Sequence, residues 1–304
     1  MTHRIVTDGL EFPEGPMALP DGSLLVVEIA GGRLTSIAPD GAKRTVAEMG
    51  GGPAGAAIGP DGMCYVCNSG GFEWKKEPDG TLNPIGRIKN AVGRIERVDL
   101  KTGNVAVLYE ATERAPLTTP DDIVFDRDGG FWFTDLGLMG NAEAGPGRVC
   151  YAKPDGSHIQ EVVFPMLTPN GIGLSPDERT LYVAETETTT VWAFDIAGPG
   201  KLTVSPYPTP GRVLWKGSPD FWFDSLAIEE SGNICVATLF GGCVTVLSPA
   251  GELIETREMP DRLTTNICFG GPGLKNAFVT LSGTGRLVEV EWSRPGLPLN
   301  FLNK

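Results

Sequence analysis

The chain has 304 residues, of which 41 are glycine and 25 are proline, and 21% of its residues are charged. This composition is typical of a turn-rich globular protein and excludes a disordered one. The formal net charge of −13 argues against nucleic acid or an anionic membrane as a partner, because both require a basic face. The excess of acidic residues would also fit a protein that binds a cation or a neutral substrate, but the need for solubility alone would explain it.

The chain begins without the apolar segment of a secretory signal, and no stretch approaches the roughly 18 apolar residues of a membrane span. We therefore expect a soluble, cytoplasmic protein that is a monomer or a weak oligomer and acts on a small molecule.

A repeat sets the expected architecture. Each copy has a polar or proline-led start, an apolar run, a turn of the Pro-Asp-Gly kind and a second apolar run. The six copies occupy residues 13–27, 53–66, 120–133, 169–183, 223–236 and 265–279, and the last is the most degenerate.

Further apolar runs complete each repeat. A third run follows the second, as at residues 32–37, 93–98 and 285–290, and most repeats carry a fourth, as at residues 43–47. Four antiparallel strands in each of six repeats predict an all-β fold, a six-bladed β-propeller forming one domain over residues 1–304. Because the sixth repeat ends after three strands, we expect residues 3–7 to supply its missing edge and close the ring.

A shared register marks the expected centre of the ring. In five repeats one residue stands seven positions before the Asp or Ser of the turn, and in the sixth Asn266 stands seven before Gly273. The other residues at this position are Glu14, Ala54, Asp121, Asn170 and Asp224. Since equivalent strand starts meet at the mouth of a propeller's channel, five of the six positions would direct oxygen atoms to one point.

Oxygen ligands without His or Cys are those that Ca²⁺ and Mg²⁺ prefer. The alternative is that each residue only caps a turn, as Asn and Asp often do. Turn capping does not explain Glu14, and three close carboxylates repel one another unless a cation lies among them. The sequence therefore predicts one divalent cation, with Ca²⁺ favoured and Zn²⁺, Mg²⁺, Mn²⁺ or Fe²⁺ left open.

Other metal or nucleophile motifs are weak. Cys64 and Cys67 form a CxxC pair, but residues three apart on a strand face opposite sides, so we expect both to be core residues. His3 and His158 are the two histidines, which argues against a Ser-His-Asp triad, and neither a GxSxG motif nor a phosphate-binding loop is present.

At the register residues the sequence resembles the senescence marker protein, gluconolactonase and luciferin-regenerating enzyme family, and it is similar also to the diisopropylfluorophosphatases. The resemblance extends from residues 12–16 to residues 268–271. It implies that a cation, commonly Ca²⁺ or Zn²⁺, is held by Glu14, Asn170 and Asp224. It also implies hydrolysis of lactones or related esters.

The third repeat departs from that family. Asp121-Asp122 replaces the Asn-Asp of many members, and Thr119 stands where sugar lactonases have an Arg. We expect Asp121 and Asp122 to contact substrate. A further set of aromatic residues would either line an apolar pocket at the mouth or fill space between blades: Phe72, Trp74, Trp222, Phe223 and Phe240.

The expected chemistry is attack of water on a lactone carbonyl that the cation polarises. Asp224 and Asp121 are the candidates to take the proton. Two alternatives remain: a metal-dependent lyase using the same site, and a non-catalytic binding propeller that its cation stabilises. The fold by itself does not choose between them.

Overall fold

The computed structural model describes residues 3–138, 145–203 and 211–304. Strand β1 (His3–Thr7) precedes the first blade. Blade 1 contains β2 (Pro13–Ala18), β3 (Leu24–Glu28), β4 (Arg33–Ile37) and β5 (Lys43–Glu48). Blade 2 contains β6 (Pro53–Ile58) and β7 (Cys64–Asn68), then a hairpin of β8 (Phe72–Lys76) and β9 (Leu82–Arg87), then β10 (Arg94–Val98) and β11 (Val105–Tyr109).

Blade 3 contains β12 (Pro120–Phe125), β13 (Phe131–Asp135), β14 (Gly147–Ala152) and β15 (Ile159–Met166). Blade 4 contains β16 (Pro169–Leu174), β17 (Thr180–Glu185), β18 (Thr190–Gly198), the short β19 (Lys201–Leu202) and β20 (Arg212–Lys216). Blade 5 contains β21 (Trp222–Ile228), β22 (Ile234–Leu239), β23 (Cys243–Leu247) and β24 (Leu253–Glu258). Blade 6 contains β25 (Thr264–Gly270), a 3₁₀ turn (Pro272–Leu274), β26 (Asn276–Leu281) and β27 (Arg286–Glu291).

These sheets form the six-bladed propeller that the repeat predicts, with the first strand of each blade innermost. The ring closes as expected, because β1 pairs antiparallel with β27 at the edge of blade 6. The Arg4 guanidinium also donates a hydrogen bond of 2.7 Å to the Glu289 carboxylate across this pair. None of the segments in the described ranges folds into a helix with the length and hydropathy that a membrane crossing requires.

The turns between first and second strands are built by their Asp-Gly pairs. Asp21 accepts a hydrogen bond from the Ser23 amide at 2.9 Å, and Gly22 adopts a φ of 85°, a conformation that side chains disfavour. Asp21, seven positions after Glu14, therefore stabilises the turn between β2 and β3.

The core lies between the blades. Tyr65 of blade 2 packs 5.8 Å from Phe131 of blade 3, measured between ring centroids, and Phe269 packs 5.7 Å from the fully buried Trp292. Burying each such side chain stabilises the fold by about 1.5–3 kcal/mol. Cys64 lies in the cluster between blades 1 and 2 and Cys67 in the cluster between blades 2 and 3, which confirms their role as core residues.

Closure by β1 generates the first prediction. Deleting residues 1–7 exposes the edge of β27, so we expect a lower melting temperature and concentration-dependent self-association, measured by calorimetry and light scattering. The matched control is Arg4→Ala, which keeps the strand and removes only an exposed ion pair, and it should shift stability by less than about 1 kcal/mol. A truncated protein that stays monomeric with an unchanged melting temperature contradicts the closing role.

Candidate functional site

Every innermost strand has an irregularity close to its start. The ladder between the first and second strands of each blade carries one extra residue on the innermost side. Such a bulge re-aims side chains relative to a regular strand. The residues at these bulges are Glu14-Gly15, Ala54-Gly55, Asp121-Asp122, Asn170-Gly171, Asp224-Ser225 and Thr265-Asn266.

The backbone pairing corrects the expected position of Asn266. Thr264 pairs with Leu281 and Ile267 with Val279, so Thr265 is the equivalent of Asp121, and Asn266 is the equivalent of Asp122. The count of seven fails here because the 3₁₀ turn at Pro272–Leu274 changes the length of the connection. Asn266 still reaches the site, since its amide donates a 2.7 Å hydrogen bond to Glu14.

The second position of each bulge lies close to a neighbouring blade. A Cβ added to Gly55 would lie 2.3 Å from the Asp121 carbonyl oxygen, and one added to Gly171 would lie 2.6 Å from that of Asp224. Blades 2 and 3, and blades 4 and 5, therefore approach too closely for a side chain at these two glycines. Asp122 fits at the same position in blade 3 with its carboxylate bound to backbone amides, those of Ile123 at 3.0 Å and Ile172 at 3.3 Å.

A second set of buried polar groups fixes the chain just before each of the first four innermost strands. Asp135 accepts hydrogen bonds from the amides of Thr118 and Thr119 at 2.9 and 2.6 Å. Glu28, Asn68 and Glu185 end the equivalent strands and accept bonds from Glu11, Gly52 and Leu167 respectively. These residues escaped the sequence analysis, although a polar residue at the end of each second apolar run was visible in the repeat.

The acids of the ring perturb one another. Burial, and then the charges of Glu14 and Asp122, raise the pKa of Asp121 well above its usual range. Burial, and then the charges of Glu14 and Asp121, do the same to the pKa of Asp224. Burial also raises the pKa of Glu14, opposed by hydrogen bonds from Asn266 and Thr265, and it raises that of Asp122 to about 7. Asp121 and Asp224 therefore lie close enough to Glu14 to feel its charge.

Asn170 contributes an amide oxygen that has no partner. Its side chain is buried and bonds to the Asp224 carboxylate, but Oδ1 has no hydrogen-bond donor. A buried oxygen of this kind is costly to leave unpaired. In the described ranges no three His, Cys, Asp or Glu side chains can hold a metal on their own, so a cation site here requires this amide. The all-oxygen set fits a hard divalent cation.

Asp121 and Asp224 are partly exposed, whereas Glu14, Ala54 and Asn170 are buried. Solvent therefore reaches the ring on the side of blades 3 and 5. This arrangement can bind a cation at the buried groups of the ring while Asp121 and Asp224 stay partly accessible to a second molecule.

The aromatic residues divide between the two expected locations. Phe72 and Trp74 lie on the β8–β9 hairpin and pack with Phe12 near the mouth, while Trp222 packs against Phe240 at the start of blade 5. Phe223 is fully buried within a core cluster. The hairpin was not predicted, although the long gap between residues 68 and 93 could have indicated an insertion.

Residues of all six innermost strands line an apolar cavity of about 110 Å³ on the axis, which Asp122 and Asn266 border at the ring. Its walls include Met17, Phe125 and Leu174, and its far end is covered by residues 297–304. Leu297 donates a backbone hydrogen bond of 2.8 Å to Ile228, and the Asn300 amide donates one of 3.1 Å to the Phe125 carbonyl. The C-terminal segment thus lines this cavity at the ends of the innermost strands, away from their bulges.

The chain is similar in sequence to lactonase drp35 of Staphylococcus saprophyticus, with 30% identity over 267 residues that cover 85% of this chain and 73% of the relative. The Staphylococcus aureus lactonase drp35 is 28% identical over 257 residues, covering 84% and 70%.

Solved structures show the same fold. A gluconolactonase from Xanthomonas campestris superposes with a TM-score of 0.74 at 23% identity, covering 96% of this chain and 88% of the other. The calcium-binding protein regucalcin from Agrobacterium tumefaciens superposes with a TM-score of 0.75 at 19% identity, covering 99% and 96%. The model of the SMP-30/gluconolactonase/LRE-like region matches residues 12–283, and the chain therefore belongs to this family of lactonase- and gluconolactonase-like hydrolases.

Proposed function

We propose that this protein is a lactonase that depends on one divalent cation and opens a cyclic ester with water. The observation that carries the proposal is the unpartnered, buried Oδ1 of Asn170 in a ring that also contains Glu14 and Asp224. Membership of a lactonase-like family supports the reaction class, and the ring of oxygens supports the cation.

Glu14, Asn170 and Asp224 would hold the cation. Their two carboxylates balance its charge, and the amide adds a neutral oxygen, a combination that favours Ca²⁺ while leaving Zn²⁺, Mg²⁺, Mn²⁺ and Fe²⁺ as candidates. When bound, the cation supplies Lewis-acid polarisation of the substrate carbonyl.

Asp121 is the best candidate for the group that takes the proton from the attacking water. It is partly exposed at the mouth, and it lies beside Glu14 and Asp122 closely enough to feel their charges. Histidine is a poor candidate, because His3 lies on the outer strand of blade 6 and His158 in a turn before β15. Asp224 is the second candidate for this proton, provided that one of its oxygens stays free of the cation.

The partial exposure of Asp121 and Asp224 favours an enzyme over a purely structural cation site. An ion that served only to hold the blades together would need no partly exposed acid beside it. A lyase on the same residues remains the alternative reaction, and product analysis by mass spectrometry separates the two, since hydrolysis adds one water to the substrate.

The second prediction tests the cation site. Glu14→Gln keeps the shape and the acceptor but removes one charge, so we expect cation affinity to fall by about tenfold or more, a loss of about 1.4 kcal/mol. Lactone hydrolysis should fall in parallel, with affinity measured by calorimetry and hydrolysis by pH-stat. The control is Asp21→Asn, which removes an exposed acid from the turn of the same blade. Unchanged affinity and turnover in Glu14→Gln would refute the assignment.

The third prediction concerns stability. A cation that binds only the folded chain stabilises it by mass action, by about 2.7 kcal/mol at a hundredfold excess over its dissociation constant. We therefore expect a chelator to lower the melting temperature of the wild-type protein and to have a much smaller effect on Glu14→Gln. Equal shifts in the two proteins would show that the chelator acts elsewhere.

The fourth prediction separates two roles of Asp121. If this residue takes the proton, Asp121→Asn should leave cation affinity nearly intact and reduce turnover by ~10²–10⁴-fold. If it is a ligand, affinity should fall with turnover. Metal titration and turnover on the same preparation distinguish the cases, and wild-type values for both would leave Asp121 as a residue of the strand bulge with neither role.

A further inference from the structure

The β8–β9 hairpin extends from blade 2 over its neighbours. The Leu82 amide near its tip donates a 3.0 Å hydrogen bond to the Gly283 carbonyl of blade 6, two blades away around the ring. At its base the Arg87 guanidinium donates hydrogen bonds to the carbonyls of Ser69 at 2.7 Å and Thr118 at 2.5 Å. The hairpin is therefore attached at both ends and crosses the sector of blades 2, 1 and 6.

The inner side of the hairpin is apolar. Trp74 packs on Phe12 with ring centroids 4.8 Å apart, and Phe72 lies 6.1 Å from Trp74. The same cluster contains Ala54 and Leu263, both buried. Ala54 is the ring position at which the other blades place an acid, an amide or a hydroxyl, so the apolar surface reaches the ring itself.

Apolar side chains continue on the opposite side of the mouth. Leu239 at the end of β22 packs against the hairpin cluster and pairs with Trp222. Trp222 in turn contacts Phe240 at 5.4 Å, and Phe240 is 38% exposed. An apolar path thus leads from the hairpin to blade 5, where the partly exposed Asp224 stands two residues after Trp222.

Apolar side chains beside a ligand distinguish between its substituents. A hydroxyl placed against the partly buried Phe72 and Trp74 loses its water partners without replacement, which is unfavourable. An alkyl or aryl group in the same place removes apolar surface from water on both sides, which is favourable.

We infer that the sector covered by the hairpin is a specificity pocket for an apolar substituent, so that the site takes cyclic esters bearing an alkyl or aryl group in preference to polyhydroxylated lactones. This inference rests on the proposed lactonase function. Phe72 and Trp74 are its specificity-determining residues.

The test compares kcat/KM for δ-decanolactone, which carries a pentyl chain, with that for unsubstituted δ-valerolactone and for glucono-δ-lactone. We expect the wild-type protein to prefer the decanolactone over both by roughly tenfold or more. Trp74→Ala should lower the ratio of decanolactone to valerolactone by about tenfold, mainly through KM. Ile85→Ala, on the same hairpin with Ile85 61% exposed, is the matched control and should keep the ratio.

Phe72→Ala provides a second variant, which removes the other partly buried aromatic side chain of the hairpin, and it should lower the same ratio. A wild-type preference for glucono-δ-lactone, or a ratio unchanged in both variants, overturns the inference while leaving lactonase activity in place.

Loss of the proposed function is recognised separately, by the failure of the cation-loaded protein to hydrolyse any of the three lactones. Calorimetry with the lactam analogues of decanolactone and valerolactone then decides the pocket without turnover. Binding of the pentyl lactam at least about tenfold tighter than that of the plain lactam supports the pocket, and equal binding overturns it.

Discussion

Glu14, Asp121 and Asp224 approach one another from three different blades, although each carboxylate repels the others and raises their pKa values. A flexible backbone would let these groups move apart. The starts of the strands are instead held by buried acceptors such as Glu28 and Asp135, which bind the preceding amides. Closure of the ring by β1 prevents the blades from spreading. Folding thereby maintains an arrangement that a cation would stabilise.

The propeller and most of the ring were predictable because a closed ring of like blades repeats one backbone plan. Counting back from the turn located Glu14, Asp121, Asn170 and Asp224, since the loops in those blades have equal length. The count misplaced Asn266 by one residue, because a 3₁₀ turn alters its loop. It could not locate the β8–β9 hairpin over the mouth, whose position depends on a hydrogen bond between Leu82 and Gly283, 201 positions apart in the chain.

The six blades place different residues at equivalent positions of the ring, and these residues differ in their chemistry. A symmetric ring would surround a cation with six equivalent groups and leave no preferred side for a substrate. Here Asn170 lacks a hydrogen-bond partner for its oxygen, Asp121 is partly exposed, and Ala54 offers carbon where the other blades offer oxygen. Asp122 replaces the glycine of Gly55 and Gly171 and is bound by backbone amides. Positions that are equivalent in the backbone of the six blades therefore differ in what their side chains can bind.

The C-terminal segment helps to show which of the differences between blades could govern selectivity for a substrate. Residues 297–304 line the axial cavity at the ends of the innermost strands, away from their bulges. A molecule that approaches the ring from the bulged starts of these strands does not pass this segment. The hairpin covers that approach on the side of blades 2, 1 and 6, while Trp222 and Phe240 border it at blade 5. Selectivity between substrates should consequently depend on the side chains of the β8–β9 hairpin and on Trp222 and Phe240 of blade 5. It should depend far less on the other residues of the ring.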